Sequence, residues 1–145
     1  MAIHFLLDTN ILAEPLRPEP NENVLRRLKK YDGQLATASV VWHEMWFGCL
    51  RLPRGRRRDA IEQYLVDVLQ PTLPLLPYSS GAARWHAEQR ARLTAVRKTP
   101  SFVDGQIASV AVERGLTLVT HNVSDFEGFA CLETVDWRGK KTHRR

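Results

Sequence analysis

The chain has 145 residues, which fits one domain rather than two. Apolar residues make up 43% and charged residues 26%, which excludes wholesale disorder. Lys and Arg number 21 against 16 Asp and Glu, a formal net charge of +5. No apolar run approaches the ~20 residues that span a bilayer. The first residues carry neither a basic leader nor a signal-length apolar core, so a soluble, cytoplasmic protein with no membrane partner is expected. Cys49 and Cys131 cannot build a disulfide framework and read as small buried or half-buried groups of a reducing compartment. The positive balance fits an anionic partner such as nucleic acid, or a surface charge that only aids solubility.

Ile3–Leu7 is a continuous apolar run, the pattern of a buried strand, and it ends at Asp8. Asn10–Ala13 starts a short helix that Pro15 stops, and a proline- and asparagine-rich loop follows. Val24, Leu25 and Leu28 stand at helical spacing, and Asp32-Gly33 is a turn. Leu35–Ala38 is a second strand. Ser39 is expected to cap a helix over Val40–Leu50 with Val41, Met45 and Cys49 inward. Leu52–Gly55 breaks it before a helix over Arg56–Leu69, with Ile61, Leu65 and Val68 inward. Leu73–Pro77 is an irregular or edge strand. Ser79 or Ser80 caps a long helix toward Val96. A helix over Val103–Arg114 ends at Gly115, a fitting residue just past a helix. Leu116–Thr120 is the clearest strand, Leu132–Val135 is one more, and the basic stretch from Arg138 is expected to fray. Strands that alternate with helices predict an α/β fold: a central parallel sheet of four to five strands with helices on both faces.

In such folds ligands bind beyond the carboxyl ends of the strands. Asp8 stands at the end of the first strand, and Asn122 and Asp125 follow the strand Leu116–Thr120. Asp104 opens a helix. Glu44 lies within a helix among Val40, Val41, Met45, Trp46 and Phe47, where a dry, unpaired carboxylate is costly. Acids from separate elements thus converge on one crevice, and a divalent cation is the usual resolution of their repulsion. Oxygen-only donors suit Mg²⁺ or Mn²⁺. Thr120 and Asn122 add neutral oxygens. Such an ion suits phosphodiester hydrolysis, because it makes a water more acidic and clamps the phosphate.

The basic residues form two groups. Arg51, Arg54, Arg56, Arg57 and Arg58 surround the helix break after Glu44. Arg84, Arg90, Arg92, Arg97 and Lys98 run toward Asp104. Either group is a solvated face or a track for an RNA backbone; Arg54, Arg56, Arg97 and Lys98 are the RNA-binding candidates. Trp42 and Trp46 share one helix face and, with Tyr64, read as core or as a homodimer contact. His43 and His121 read as solvated or core histidines rather than general bases. Zinc-site spacing, serine-hydrolase elbows and nucleotide-binding glycine loops are all missing.

Four segments in order resemble the PIN-domain family, and within it the VapC-type ribonuclease toxins of bacterial toxin–antitoxin pairs. They are Phe5-Leu6-Leu7-Asp8-Thr9-Asn10-Ile11-Leu12; Trp42-His43-Glu44-Met45-Trp46-Phe47-Gly48; Val103-Asp104-Gly105-Gln106-Ile107-Ala108; and Gly115 to Phe126. The likeness assigns 1–137 to the PIN domain and leaves 138–145 as a basic tail. It implies a Mg²⁺- or Mn²⁺-dependent endoribonuclease that inhibits translation. The implied metal ligands are Asp8, Asp104 and Glu44. Asn122 completes the catalytic set, and Thr120, Asp125 and Asn10 orient solvent or support it. It also implies an antitoxin that blocks the acidic pocket, and a homodimer that becomes a heterotetramer or larger with the antitoxin. Many relatives place a fourth acid where this chain has Asn122, so the second metal site is expected to be the weaker one. The same residues leave open a non-catalytic nucleic-acid-binding module or a DNA-directed nuclease. A receiver-type phosphoryl-transfer domain fits poorly, because Asn10 stands where a second acid would be needed.

Overall fold

A strand that is apolar on both faces needs a covering layer on each side, and Phe5-Leu6-Leu7 is such a strand. A computed structural model of the chain describes residues 2–139. There β1 (Phe5–Leu7) is the centre of a five-stranded sheet in the order β3-β2-β1-β4-β5. Its neighbours are β2 (Leu35–Ala38) and β4 (Thr117–Val119), with β3 (Leu75–Leu76) and β5 (Thr134–Val135) at the edges. Every pairing is parallel. Leu7 pairs with Thr37 on one side and Val119 on the other, so the central strands end level. Leu6, Leu7, Ala36, Leu118 and Val119 are buried in the core.

Among the described residues six helices flank the sheet: α1 (Thr9–Ala13), α2 (Glu22–Lys30), α3 (Ser39–Leu50), α4 (Arg56–Gln63), α5 (Ser80–Ala95) and α6 (Phe102–Arg114). This is the expected α/β layering, with all five candidate strands present. Pro15 ends α1 as foreseen, in a short 3-10 turn over Glu14–Leu16. Ser79 and Ser101 cap α5 and α6 through their hydroxyls. Gly115 follows α6 at φ 68°, a left-handed conformation that glycine adopts without a Cβ penalty. Among the described residues no helix is long and apolar enough to cross a membrane.

Four local expectations need correction. Ser39 is the first helical residue of α3 rather than its cap; Ala38 holds the cap position and no side chain bonds there. The helix over Arg56–Leu69 is not regular, because a π-helical stretch takes over at Tyr64–Leu69 and Gln70 N–H bonds back to Leu65 C=O. The wider turn rotates the register, so Val68 points outward while Leu65 stays buried. Cys131 is exposed, whereas Cys49 is buried as expected. Arg138 does not fray: it binds the Asp136 carboxylate at 2.8 Å and the His121 carbonyl at 2.9 Å. Residues 140–145 of the basic tail lie outside the described residues.

The π stretch has a local anchor. Tyr64 donates its hydroxyl hydrogen to Leu12 C=O at 2.8 Å, tying this stretch to α1. Burial pushes the Tyr64 hydroxyl up to about 12, so it stays a donor throughout the neutral range. Tyr64→Phe is expected to lower stability by about 1 kcal/mol. Urea unfolding should show a lower midpoint at unchanged slope.

Candidate active site

The level strand ends leave a crevice at the carboxyl edge of the sheet, and Asp8 is the first residue past β1. Its backbone N–H still bonds Val119 C=O, so the sheet fixes its position. One carboxylate oxygen, Oδ1, accepts from Thr9 N–H at 2.8 Å and caps α1. The other, Oδ2, accepts from the Thr120 hydroxyl at 2.8 Å. Thr120 Oγ1 in turn accepts from Asn122 N–H at 3.0 Å. A short relay therefore runs from the β4 end to Asp8 through a fully buried threonine.

Asp8 is only 7% exposed. Burial pushes its pKa above the usual carboxylate value, against the hydrogen bonds from Thr120 and Thr9 and the charge of His121; the charge of Asp125 adds to the rise. Asp104 enters from the first turn of α6, where its N–H donates to Ser101 Oγ at 3.0 Å. Its pKa is raised too, first by burial, then by the negative charges of Asp8 and Asp125, with Ser101 opposing. Asp8, Asp104 and Asp125 thus share one negative field. Asp125 itself is exposed on the 3-10 turn Val123–Phe126.

Glu44 is placed differently. Its side chain is 40% exposed and lies 3.5 Å from His43 Nδ1, so it escapes the cost of a dry, unpaired carboxylate. It lines a groove of about 420 Å³ with Thr9, Arg17 and Arg57, whose lining includes neither Asp8 nor Asp104. Among the described residues no three His, Cys, Asp or Glu side chains already form a ligand set. The chemistry of the crevice nonetheless fits a hard divalent cation. Each Asp8 oxygen accepts one hydrogen bond and keeps lone-pair capacity, and two carboxylates with disfavoured charge face the same space. Asp8 and Asp104 are the residues that would hold it.

The remaining candidates divide. Asn10 accepts His121 N–H on its Oδ1 at 3.2 Å, bracing α1 against the end of β4. Asn122 is exposed at the crevice mouth. Lys98 shares a cavity of about 440 Å³ with Asp125, and Arg97 beside it stands at φ 60°. Arg54 and Arg56 are exposed at the break before α4.

One cluster escaped the sequence reading. Glu14 is fully buried and accepts hydrogen bonds from Asn21 N–H at 2.8 Å and Arg17 Nη1 at 3.3 Å; its Oε1 lies 2.9 Å from His121 Nε2. With Asn10 it clamps the end of α1 to the end of β4, directly behind Asp8. His121 is a core histidine, as expected, but its acidic partner lies far away in sequence and no local pattern announces the pair.

The parallel α/β sheet thus sets one aspartate at the end of its central strand near a second on the first turn of α6. The PIN domain model matches residues 5–130, and the chain belongs to the PIN-domain family. It is 31% identical over 126 residues to Toxin FitB of Neisseria gonorrhoeae, covering 83% of this chain and 89% of FitB. It is 30% identical over 135 residues to the tRNA(fMet)-specific endonuclease VapC of Shigella flexneri, covering 93% and 98%. Among solved structures, FitAB bound to an IR36 DNA fragment superposes with a TM-score of 0.87 at 26% identity, covering 97% of this chain and 99% of that one. DNA-bound VapBC from Salmonella typhimurium gives 0.78 at 26% identity, covering 93% and 98%.

The clamp makes a pH prediction. Burial opposes the charge on Glu14, but His121, Asn21 and Arg17 outweigh it and hold the carboxyl below its ordinary 4.5. A depressed folded pKa means stability that is present above the unfolded value and lost as pH falls through the folded one. The stability gap between the native chain and Glu14→Gln should therefore narrow as pH drops from 7 through 4.5 and below. Urea unfolding at a series of pH values measures this, and a constant gap would refute it.

Proposed function

We propose that this protein is a divalent-metal-dependent endoribonuclease, the toxin of a toxin–antitoxin pair. The observation that carries the reading is the pair of Asp8, at the end of β1, and Asp104, on the first turn of α6, each carboxyl raised above its usual pKa by burial, in a PIN domain. Its relatives are named a VapC ribonuclease and a tRNA(fMet)-specific endonuclease. Asp8 and Asp104 supply the hard oxygen donors, and Mg²⁺ or Mn²⁺ is the ion such donors suit. When bound, such an ion makes a water more acidic and screens the charge that develops on the phosphodiester.

The chain's own residues do the rest. Glu44, half-exposed on the groove it shares with Thr9, contributes a third oxygen donor or takes a proton from the attacking water. The Thr120 hydroxyl holds Asp8 Oδ2 in place, and Asn122 orients solvent at the mouth. Because Asn122 carries no charge, a second ion is held more weakly than the first. Arg54, Arg56, Arg97 and Lys98 balance the phosphates of the strand. Hydrolysis by water leaves a 5′-phosphate and a 3′-hydroxyl, and cleaved RNA means inhibited translation.

Residues 1–137 are the PIN unit in this reading, and the protein works in the cytoplasm. Its partner is a co-encoded antitoxin that inserts into the acidic crevice, with the toxin a homodimer and the complex a heterotetramer or larger. Support comes from structural neighbours that are toxin–antitoxin complexes.

Two outcomes are expected. Asp104→Asn should cut RNA at least roughly a hundredfold more slowly in Mn²⁺, since losing a ligand removes several kcal/mol of charge stabilisation. Cleavage at the native rate by a folded Asp104→Asn would refute the assignment. Asp104→Asn should also melt higher than the native chain in EDTA, because it relieves a buried charge conflict. Mn²⁺ should raise the melting temperature of the native chain only. Differential scanning calorimetry with and without Mn²⁺ reads both.

A further inference from the structure

The geometry points to a nucleobase-stacking subsite at Phe102, built with Arg90, for one base of a single-stranded RNA whose backbone passes Asp104. The inference takes the identity of the strand from the nuclease reading; the subsite itself rests on separate residues.

Phe102 is the first residue of α6 and is 50% exposed. A single exposed phenylalanine is unremarkable on a protein surface. This one is held. The His86 ring lies beneath it with centroids 4.8 Å apart. His86 is itself only 2% exposed, and its Nδ1 shares a hydrogen bond of 2.8 Å with the Tyr78 hydroxyl. Gly105 stands one helical turn beyond Phe102 on the same face, and a Cβ there would collide with the His86 ring. The glycine thus makes the notch that seats the histidine, and the histidine supports the phenylalanine. Arg90, one turn along α5 from His86, lays its guanidinium 5.3 Å from the Phe102 ring centre.

Aromatic faces and guanidinium planes are the two surfaces on which unpaired bases stack. Here both are present, and the ring is already held by His86, so little entropy is lost in the platform when a base arrives. Their place favours a nucleotide. Phe102 and Asp104 are two residues apart in one helical turn and so point to different sides of α6. Asp104 faces the crevice and Phe102 faces α5. A single strand likewise carries its phosphates and bases in different directions, so a phosphate at Asp104 leaves its neighbouring base free to turn onto Phe102. Arg97 and Lys98, both exposed in the loop between α5 and α6, supply the charge that a backbone needs there. Cations around an aromatic platform, continuous with an acidic crevice, favour RNA over an apolar protein segment.

The test uses the full-length protein and short single-stranded RNA oligomers in which one abasic nucleotide is stepped along the sequence. Binding is followed by fluorescence anisotropy in EDTA and in Mg²⁺, and cleavage kinetics in Mn²⁺. Phe102→Ala should weaken binding roughly tenfold and raise KM with little change in kcat; Phe102→Trp should retain affinity. One abasic position should cost the native chain the same factor and cost Phe102→Ala nothing further. Phe47→Ala is the control, an exposed ring with its own cation, Arg51, at 5.5 Å. The inference is overturned if Phe102→Ala binds like the native chain, if the abasic penalty is the same in both, or if Phe47→Ala loses as much. Failure of the nuclease reading looks different: the native chain then leaves RNA uncut in Mn²⁺, while Phe102-dependent binding in EDTA still reports on the subsite. No RNA binding in either condition defeats both.

Discussion

The structure depends on a carboxylate held where water would not put it. Asp8 sits at the end of the central strand, nearly out of solvent, with one oxygen on the α1 N-terminus and the other on the Thr120 hydroxyl. Neither bond suffices to bring its pKa back to the ordinary range, and Asp125 and Asp104 add like charge to the same space. A fold tolerates such a conflict only when the rest of the sheet is rigid enough to hold it. The parallel pairing of β1 with β2 and β4 provides that rigidity, and the Glu14–His121 clamp supplies more from behind.

This arrangement explains why the site and the stability of the domain pull in opposite directions. Glu14 is also a buried acid, but three donors surround it and its charge is favoured. Asp8 and Asp104 lack that surplus of donors, so their negative charge remains available to a cation. Two buried acids six residues apart therefore have opposite roles, decided by what surrounds each rather than by burial itself.

The sheet was legible because continuous apolar runs, and their alternation with helical segments, are local properties of the sequence. Leu35–Ala38 and the strand ending at Thr120 needed no distant information, and Asp8 followed from the first strand's end. What was not legible required three dimensions. The π stretch from Tyr64 answers to the Leu12 carbonyl, which no periodicity in Arg56–Leu69 encodes. Arg138 is ordered by Asp136 and the His121 carbonyl. Nothing local marked Phe102, because the His86 ring that supports it comes from α5 and the Gly105 notch has meaning only once the two helices pack. Glu44 marks a middle case: its position in the second acidic segment was readable, yet its side chain turns toward His43 and water.

The account stands or falls on whether Asp8 and Asp104 jointly capture a divalent cation. Mn²⁺ titration followed by electron paramagnetic resonance counts bound ions directly and requires no substrate. The native chain should bind one ion firmly, and Asp8→Asn and Asp104→Asn should each abolish that binding while remaining folded. Equal Mn²⁺ binding by the native chain and both variants, or none by the native chain, would contradict it.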